Sequence, residues 1–260
     1  MVNGLLLDIG ACIYCGDKAP PLSREHVLPR GLGGNMAPDG YSDALVLQNA
    51  SCERCRRVTQ KIEEQCLLSM MGPGRAKLGL KRKDRVSGTT KALIDRSDGT
   101  SEERELDWSY VPGPVIIPAF YEAAELSKKP TPAVAPCDFK MIVVAPPTKA
   151  MHGGVNGVGV SLTADSQVFA QMLAKIALGV AVARLGIEGF EPSVRDLILT
   201  NPSEYGRWVG GFGGSKRVEP RTSDLHSVAL KVRGAYVIVE ICLFAAFGGP
   251  TNYVVVGRPR

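Results

Sequence analysis

The N-terminal third is organised by three short motifs: Cys12-Ile13-Tyr14-Cys15, then Glu25-His26-Val27-Leu28-Pro29, then Cys52-Glu53-Arg54-Cys55. Each Cys-x-x-Cys pair can hold one metal ion across a tight turn, and Gly16 tolerates the positive φ that follows the first pair. Two such pairs, about forty residues apart, can supply the four thiolates of one tetrahedral zinc ion. Such a zinc ion is structural because no coordination position is left for water or substrate. Coincidental spacing of two unrelated pairs is the alternative.

The chain has 260 residues, 45% of them hydrophobic, and a formal net charge of +5. This composition excludes a disordered chain and is compatible with a polyanionic partner. The positive charge is concentrated in and just after the cysteine-rich region, at Arg24, Arg30, Arg54, Arg56, Arg57, Lys61, Arg75, Lys77, Lys81, Arg82, Lys83 and Arg85. The N-terminal third is therefore predicted to face an anion, with a solvated basic surface as the alternative.

The seven cysteines are an odd, unevenly spaced set and make a poor disulfide framework. A reducing, cytoplasmic setting fits them best. The most apolar helical stretch, residues 169–185, is interrupted by Gln171, Lys175 and Arg184, which makes it too polar to span a bilayer. The sequence therefore predicts a soluble protein without a membrane partner.

Three regions are predicted along the chain. Residues 1–74 form the zinc-binding unit, with a strand over 44–47 and a helix that begins after Ser51. Residues 75–130 form a basic arm, a hairpin around residues 97–100 and a proline-rich linker. Residues 131–260 form a separate α+β domain, in which a helix over 166–185 packs on an antiparallel sheet of three strands near 227–232, 236–247 and 253–256. The fold class is α+β.

The Glu25-His26 pair supplies two of the parts needed to hydrolyse a phosphodiester. A neutral imidazole near pH 7 can take a proton from water. A neighbouring carboxylate can hold a divalent cation, which can in turn bind a phosphate. An exposed acid beside a structural histidine is the alternative, and the flanking cysteine pairs favour the functional interpretation.

The order of these motifs resembles the HNH endonucleases, and more narrowly their four-cysteine branch of uncharacterised bacterial proteins. The resemblance covers about residues 12–66. It rests on Cys-x-x-Cys, Glu-His-Val-x-Pro-x-x-Leu-Gly-Gly, Asn-Ala-Ser-Cys-x-x-Cys and the helix that follows. The motifs are specific in combination, although each is weak alone.

This resemblance implies a zinc-stapled ββα-metal finger. It implies that Glu25 binds a catalytic Mg²⁺ or Mn²⁺, that His26 is the general base, and that Asn49 orients this histidine or its loop. The third motif position, usually His or Asn, is Arg56, which has no lone pair to give to a metal. Either another group fills that position, or Arg56 contacts the phosphate as a cation, or the centre is inactive. Arg57 and Lys61 are further candidates for binding the nucleic-acid backbone, with plain surface charge as the alternative.

The resulting expectation is a metal-dependent endonuclease that hydrolyses phosphodiester bonds in DNA. Residues 131–260 are expected to supply target recognition, regulation, or contact with a second copy or another protein. A catalytically degenerate HNH zinc module that binds nucleic acid without cutting it is the main alternative. A zinc-stapled protein-interaction scaffold is the third, and salt-insensitive binding would favour it because phosphate-driven binding weakens steeply with salt.

Overall fold

The computed structural model describes residues 7–19, 21–34, 45–80, 89–131, 135, 137–151, 153–200, 202–212 and 224–260. The strands are β1 (Leu7–Asp8), β2 (Leu22–His26), β3 (Val46–Cys52), β4 (Thr89–Arg96), β5 (Ser101–Asp107), β6 (Pro114–Phe120), β7 (Cys137–Val143), β8 (Val155–Gly159), β9 (Phe190–Pro192), β10 (Val209–Gly211), β11 (His226–Arg233), β12 (Tyr236–Leu243) and β13 (Thr251–Pro259). The α-helices are α1 (Glu53–Ser69), α2 (Gly72–Lys77), α3 (Ala124–Ser127), α4 (Ser166–Leu185), α5 (Arg195–Leu199) and α6 (Tyr205–Trp208). The basic residues Lys81, Arg82, Lys83 and Arg85 lie outside the described residues.

The N-terminal region contains a three-stranded sheet in the order β1-β3-β2, followed directly by α1. Strands β2 and β3 are antiparallel, and their register shifts between Ser23 and Glu25. Helix α1 begins one residue later than a Ser51 cap predicts, since Cys52 is its N-cap residue. Cys52 therefore ends β3 and Cys55 lies in the first turn of α1, which brings the second cysteine pair to a strand–helix junction.

The remaining strands form antiparallel sheets, as the sequence predicted for the C-terminal region. Strand β13 is central in the largest sheet, which has the order β10-β13-β12-β11 with β9 also paired to β13. The predicted hairpin is present as β4 and β5, and β8 adds to its other edge. Strands β6 and β7 form a two-stranded sheet. The molecule is thus a mixed α+β protein with antiparallel sheets and one long helix.

Helix α4 is the central helix of the core, and its bounds agree with the prediction. Asp165 caps its N-terminus by accepting hydrogen bonds from the backbone N–H groups of Gln167 and Val168. By length and composition α4 could cross a membrane, but 78% of its most apolar window is buried inside the protein. Such burial is what a core helix of this composition requires. Helix α4 packs against β12, β13 and α1.

One stretch of the predicted proline-rich linker is instead a strand. Residues Pro114–Phe120 form β6, whose alternate side chains Val115, Ile117 and Ala119 are buried. The backbone N–H groups of Ile116 and Phe120 donate to Met70 and Asn252 rather than to β7. Pro114 and Pro118 alternate with Ile116 and Phe120 along the strand, so their nitrogen atoms also face away from β7. Their missing N–H groups therefore cost β6 no hydrogen bond to β7.

Among the described residues, one large hydrophobic cluster extends from the N-terminal to the C-terminal region. It contains buried residues from the N-terminal region, such as Leu47 and Cys66, together with Phe169, Ile176 and Val254 from the C-terminal region. Helix α4 lies between them, with one side against α1 and another against the β12–β13 sheet. The domain boundaries after residues 74 and 130 stay predictions, and the packing joins the regions on either side of them.

Candidate zinc centre and the His26 site

The four cysteine side chains come together where the turn that contains Cys12 and Cys15 meets the end of β3 and the start of α1. Cys12 and Cys15 lie in a turn closed by a hydrogen bond from the Gly16 N–H to the Cys12 carbonyl, 2.8 Å long. Gly16 has a φ of 77°, which a glycine adopts without strain. Cys52 and Cys55 approach from the β3–α1 junction, so residues 40 positions apart meet.

The geometry of this cluster fits zinc. The four Sγ atoms all lie within 4.8 Å of one another. The Sγ atoms of Cys15 and Cys52 are 3.8 Å apart, close to the roughly 3.8 Å that a tetrahedral site with Zn–S bonds of about 2.3 Å implies. The thiol of Cys15 has a pKa of about 7, because hydrogen bonds from the Asp17 backbone and from the neighbouring thiols outweigh the opposing effect of burial. These residues can therefore hold a structural zinc ion, as predicted.

His26 ends β2 and presents a half-buried imidazole. Its pKa lies below the ordinary value of a histidine because of burial first, and then because of the positive charges of Arg30, Lys175 and Arg24. Arg24 and Arg30 are themselves exposed. The imidazole is therefore neutral near pH 7 and has two solvent-exposed guanidinium groups within electrostatic reach.

The neighbouring Glu25 side chain points the other way, into the protein. Its carboxylate is 7% exposed and lies 2.7 Å from the ammonium of Lys175, which is 1% exposed. The carboxylate of Glu63, on α1, contacts the same ammonium at 2.7 Å. The buried Tyr14 ring adjoins this cluster, and burial followed by the charges of Glu25 and Glu63 raises the pKa of its hydroxyl.

This arrangement does not fit a catalytic Mg²⁺ or Mn²⁺ on Glu25. The carboxylate already has a cationic partner at contact distance, and a divalent ion placed beside that ammonium would be repelled by it. The carboxylate is also almost closed to solvent, whereas Mg²⁺ usually keeps several of its waters. The Glu25 carboxylate is therefore not suited to hold a catalytic divalent metal.

The other predicted site residues lie on β3 and α1. The amide of Asn49 donates to the Asp8 carboxylate of β1 at 3.0 Å, and Asn49 has a φ of 47°, in the left-handed region. Arg56 and Arg57 are exposed and both contact Glu53, the latter at 2.8 Å. Lys61 is exposed on the same helix. Their assigned roles in orientation and backbone binding stay predictions.

Lys175 is a residue of this site that the sequence motifs do not identify. In the sequence it interrupts an apolar helix. Its position was nevertheless a signal, because it lies between Met172 and Ile176 on the stripe that packs into the core. A charged residue on a buried helical stripe requires a charged partner elsewhere in the chain.

Comparison of this chain with protein-family models, with curated proteins and with solved structures finds no match.

Proposed function

We propose that this protein is an HNH-type endonuclease that hydrolyses phosphodiester bonds in DNA, with the His26 imidazole as general base. The observation that carries the proposal is the state of that imidazole, which is half-exposed and has a lowered pKa. A neutral imidazole can accept a proton from water at physiological pH. Arg24 and Arg30 are the right groups to bind a phosphate beside it, because guanidinium groups match phosphate oxygens in charge and geometry.

The local topology supports the same assignment. Two antiparallel strands, β2 and β3, lead directly into α1, which is the order of elements in the ββα finger that the sequence resemblance implies. The four cysteines hold the start of this unit and the strand–helix junction together. In this scheme a structural zinc ion gives the small unit a fixed shape, and His26 ends the first of its two paired strands.

The proposed reaction needs one proton transfer and one displacement. His26 takes a proton from water as the water oxygen bonds to phosphorus. The bond from phosphorus to the 3′ oxygen breaks, and solvent returns a proton to that oxygen. The products are a 5′ phosphate and a 3′ hydroxyl. Arg24 and Arg30 would stabilise the negative charge on the phosphate oxygens.

A second candidate function is DNA binding without cleavage. It is favoured by the ion pair between Glu25 and Lys175, which occupies the carboxylate expected to bind a catalytic metal. Arg56 at the third motif position favours it as well, because its guanidinium cannot be a metal ligand. The exposed cations on α1 would bind phosphates in either case.

The test is nicking of supercoiled plasmid by purified protein in Mg²⁺, in Mn²⁺ and in EDTA, with zinc content measured after each reaction. His26→Ala should abolish cleavage while zinc content and salt-sensitive DNA binding stay unchanged. His152→Ala is the control, since it removes a histidine that lies outside the resemblance.

Cleavage at the full rate by His26→Ala would show that His26 is not the base. Salt-sensitive binding without cleavage by the wild-type protein in all three conditions would favour the binding module. Neither binding nor cleavage would contradict both candidates and leave the interaction scaffold.

A further inference from the structure

Lys175 is the charged residue in the middle of the most buried helix. Its neighbours Ala174 and Ile176 are fully buried. Its ammonium contacts the carboxylates of Glu25 and Glu63, each at 2.7 Å. It also donates to the backbone carbonyls of His26 and of Val27, the latter at 3.3 Å. Four oxygen atoms therefore surround an ammonium that has three protons.

This arrangement keeps the lysine charged in the core. Burial alone would lower the pKa of Lys175, but the negative charges of Glu25 and Glu63 outweigh it and raise that pKa above its ordinary value. Neutral side chains of similar size in place of the lysine and both carboxylates together would spare the protein the cost of desolvating these charges. Stability alone therefore does not require this set of charges, which directs attention to the groups that the ammonium holds.

Three of the four partners of Lys175 belong to three consecutive residues, Glu25, His26 and Val27. They are the end of β2 and the residue after it. The fourth partner, Glu63, extends from α1. One ammonium thus connects the Glu25 side chain and the backbone carbonyls of His26 and Val27 to α1 and to α4.

A second contact brings α4 to the same segment. Gly179 lies one turn after Lys175 on the same side of the helix, and a Cβ atom there would lie 2.9 Å from Cγ2 of Val27. Residues four apart share one face of a helix. On this face of α4, Lys175 therefore supplies a cation to the residues around His26, and the absence of a side chain at Gly179 leaves room for Val27.

We propose that Lys175 is a positioning residue for His26, and that its ammonium is the cation which Glu25 holds in place of a divalent metal. This inference rests on the proposed function for the role of His26. This inference also makes Lys175 of α4, 149 residues away from His26 in sequence, part of the site. The zinc-binding unit and the C-terminal region then form one functional site instead of a nuclease with an attached domain.

The test compares Lys175→Met with Gln171→Met in the full-length protein. Gln171 lies one turn earlier on α4, is buried, and donates to the backbone carbonyls of Leu197 and Ile198 at 3.1 and 3.2 Å. The Gln171→Met variant therefore also loses a buried side-chain donor, but one that makes no contact with β2. Should Lys175→Met fail to fold, a triple variant with Glu25→Gln and Glu63→Gln removes the uncompensated carboxylates and keeps the volume of the site.

Lys175→Met, or the triple variant, should lower kcat on the order of 100-fold, the usual effect of a catalytic group misplaced by about 1 Å. KM for DNA should stay within a factor of two, since the exposed cations are intact. Gln171→Met should change neither value. The NMR amide resonances of Val27 and Leu28, which follow the two carbonyls that Lys175 holds, should shift in the Lys175 variants and not in Gln171→Met.

The proposal would be overturned if the Lys175 variants matched Gln171→Met in kcat and in these resonances. Absence of cleavage by the wild-type protein would overturn the proposed function alone. In that case the resonance comparison still decides whether Lys175 sets the conformation at the end of β2.

Discussion

The four cysteine thiols have clearly different environments before any metal binds. Burial raises the pKa of Cys12 and of Cys55 above that of an ordinary thiol, whereas Cys15 has a pKa of about 7. Zinc binds thiolates, so it must displace protons from the more buried members of the set. The free energy of zinc binding in such sites, on the order of 10 kcal/mol, then contributes directly to folding.

Cys15→Ala and Cys52→Ala should therefore each release zinc and unfold the N-terminal unit. Zinc content by atomic absorption and thermal unfolding provide the measurements. Cys66→Ala is the matched control, because Cys66 is a buried free cysteine on α1 outside the cluster. The Cys66→Ala variant should keep its zinc. Retention of full zinc content in the Cys15 and Cys52 variants would rule out the structural site.

The cysteine cluster could be predicted from the sequence because ligand spacing within each pair is a local property. The position of Glu25 could not. Glu25 precedes His26 directly in the sequence, but whether its carboxylate meets solvent or a buried cation depends on where α4 packs. That contact joins residues from distant parts of the chain, and a single sequence does not indicate which acid a core lysine will meet.

Elements with strong local signals agree with their predictions, and elements stabilised mainly by tertiary contacts do not. Helix α4 has an aspartate cap, a long apolar stripe and Gly186 after its last residue, and its predicted bounds are confirmed. Strand β6 has two prolines, which suggested a linker. Its stability as a strand comes from β7 on one edge and from Met70 and Asn252 on the other, and the sequence shows neither of these contacts.

Gly179 tests how closely α4 must approach the His26 segment. Alanine at an interior helical position is favoured over glycine by about 1 kcal/mol. Here the new Cβ would lie 2.9 and 3.1 Å from the two methyl groups of Val27, a stiff, buried side chain. Overpacking costs about 1–3 kcal/mol, so Gly179→Ala should lower the free energy of unfolding by about 1 kcal/mol, measured by urea denaturation.

Val27→Ala provides the matching background for this test. It removes both methyl groups that Gly179→Ala would meet, so the helix preference of alanine should prevail there. Gly179→Ala should then raise the free energy of unfolding relative to Val27→Ala alone. The same destabilisation in both backgrounds would show that the glycine is needed for another reason.

The whole molecule is held together by contacts that cross from the zinc-binding region to the C-terminal region. His226, the first residue of β11, is buried, and its Nε2 lies 2.7 Å from the Leu32 carbonyl while its Nδ1 accepts from the Phe244 N–H at 3.1 Å. Arg195 of α5 donates to the Ile13 carbonyl at 2.9 Å. The sequence does not indicate that the partner of His226 is Leu32, in the loop after His26, because that contact joins residues 194 positions apart.

Because His226 is buried in the neutral form, its pKa is lowered to about 4. The unfolded chain, with an ordinary histidine pKa of about 6.5, binds the proton first as the pH falls. The contribution of His226 to stability is therefore complete above about pH 6.5 and is lost as the pH falls toward 4. Linkage gives a loss of about 2 kcal/mol between pH 7.5 and 5.

Urea denaturation across pH 5 to 7.5, with zinc content monitored, measures this loss, and His226→Gln should flatten the profile while lowering stability at pH 7.5. His26→Ala serves as the comparison, because His26 also has a lowered pKa but is only half-buried. It should remove a smaller part of the slope. A profile for His226→Gln as steep as that of the wild type would mean that the acid sensitivity arises elsewhere. A flattened profile would identify the contact between β11 and the loop after His26 as the pH-sensitive connection between the two regions.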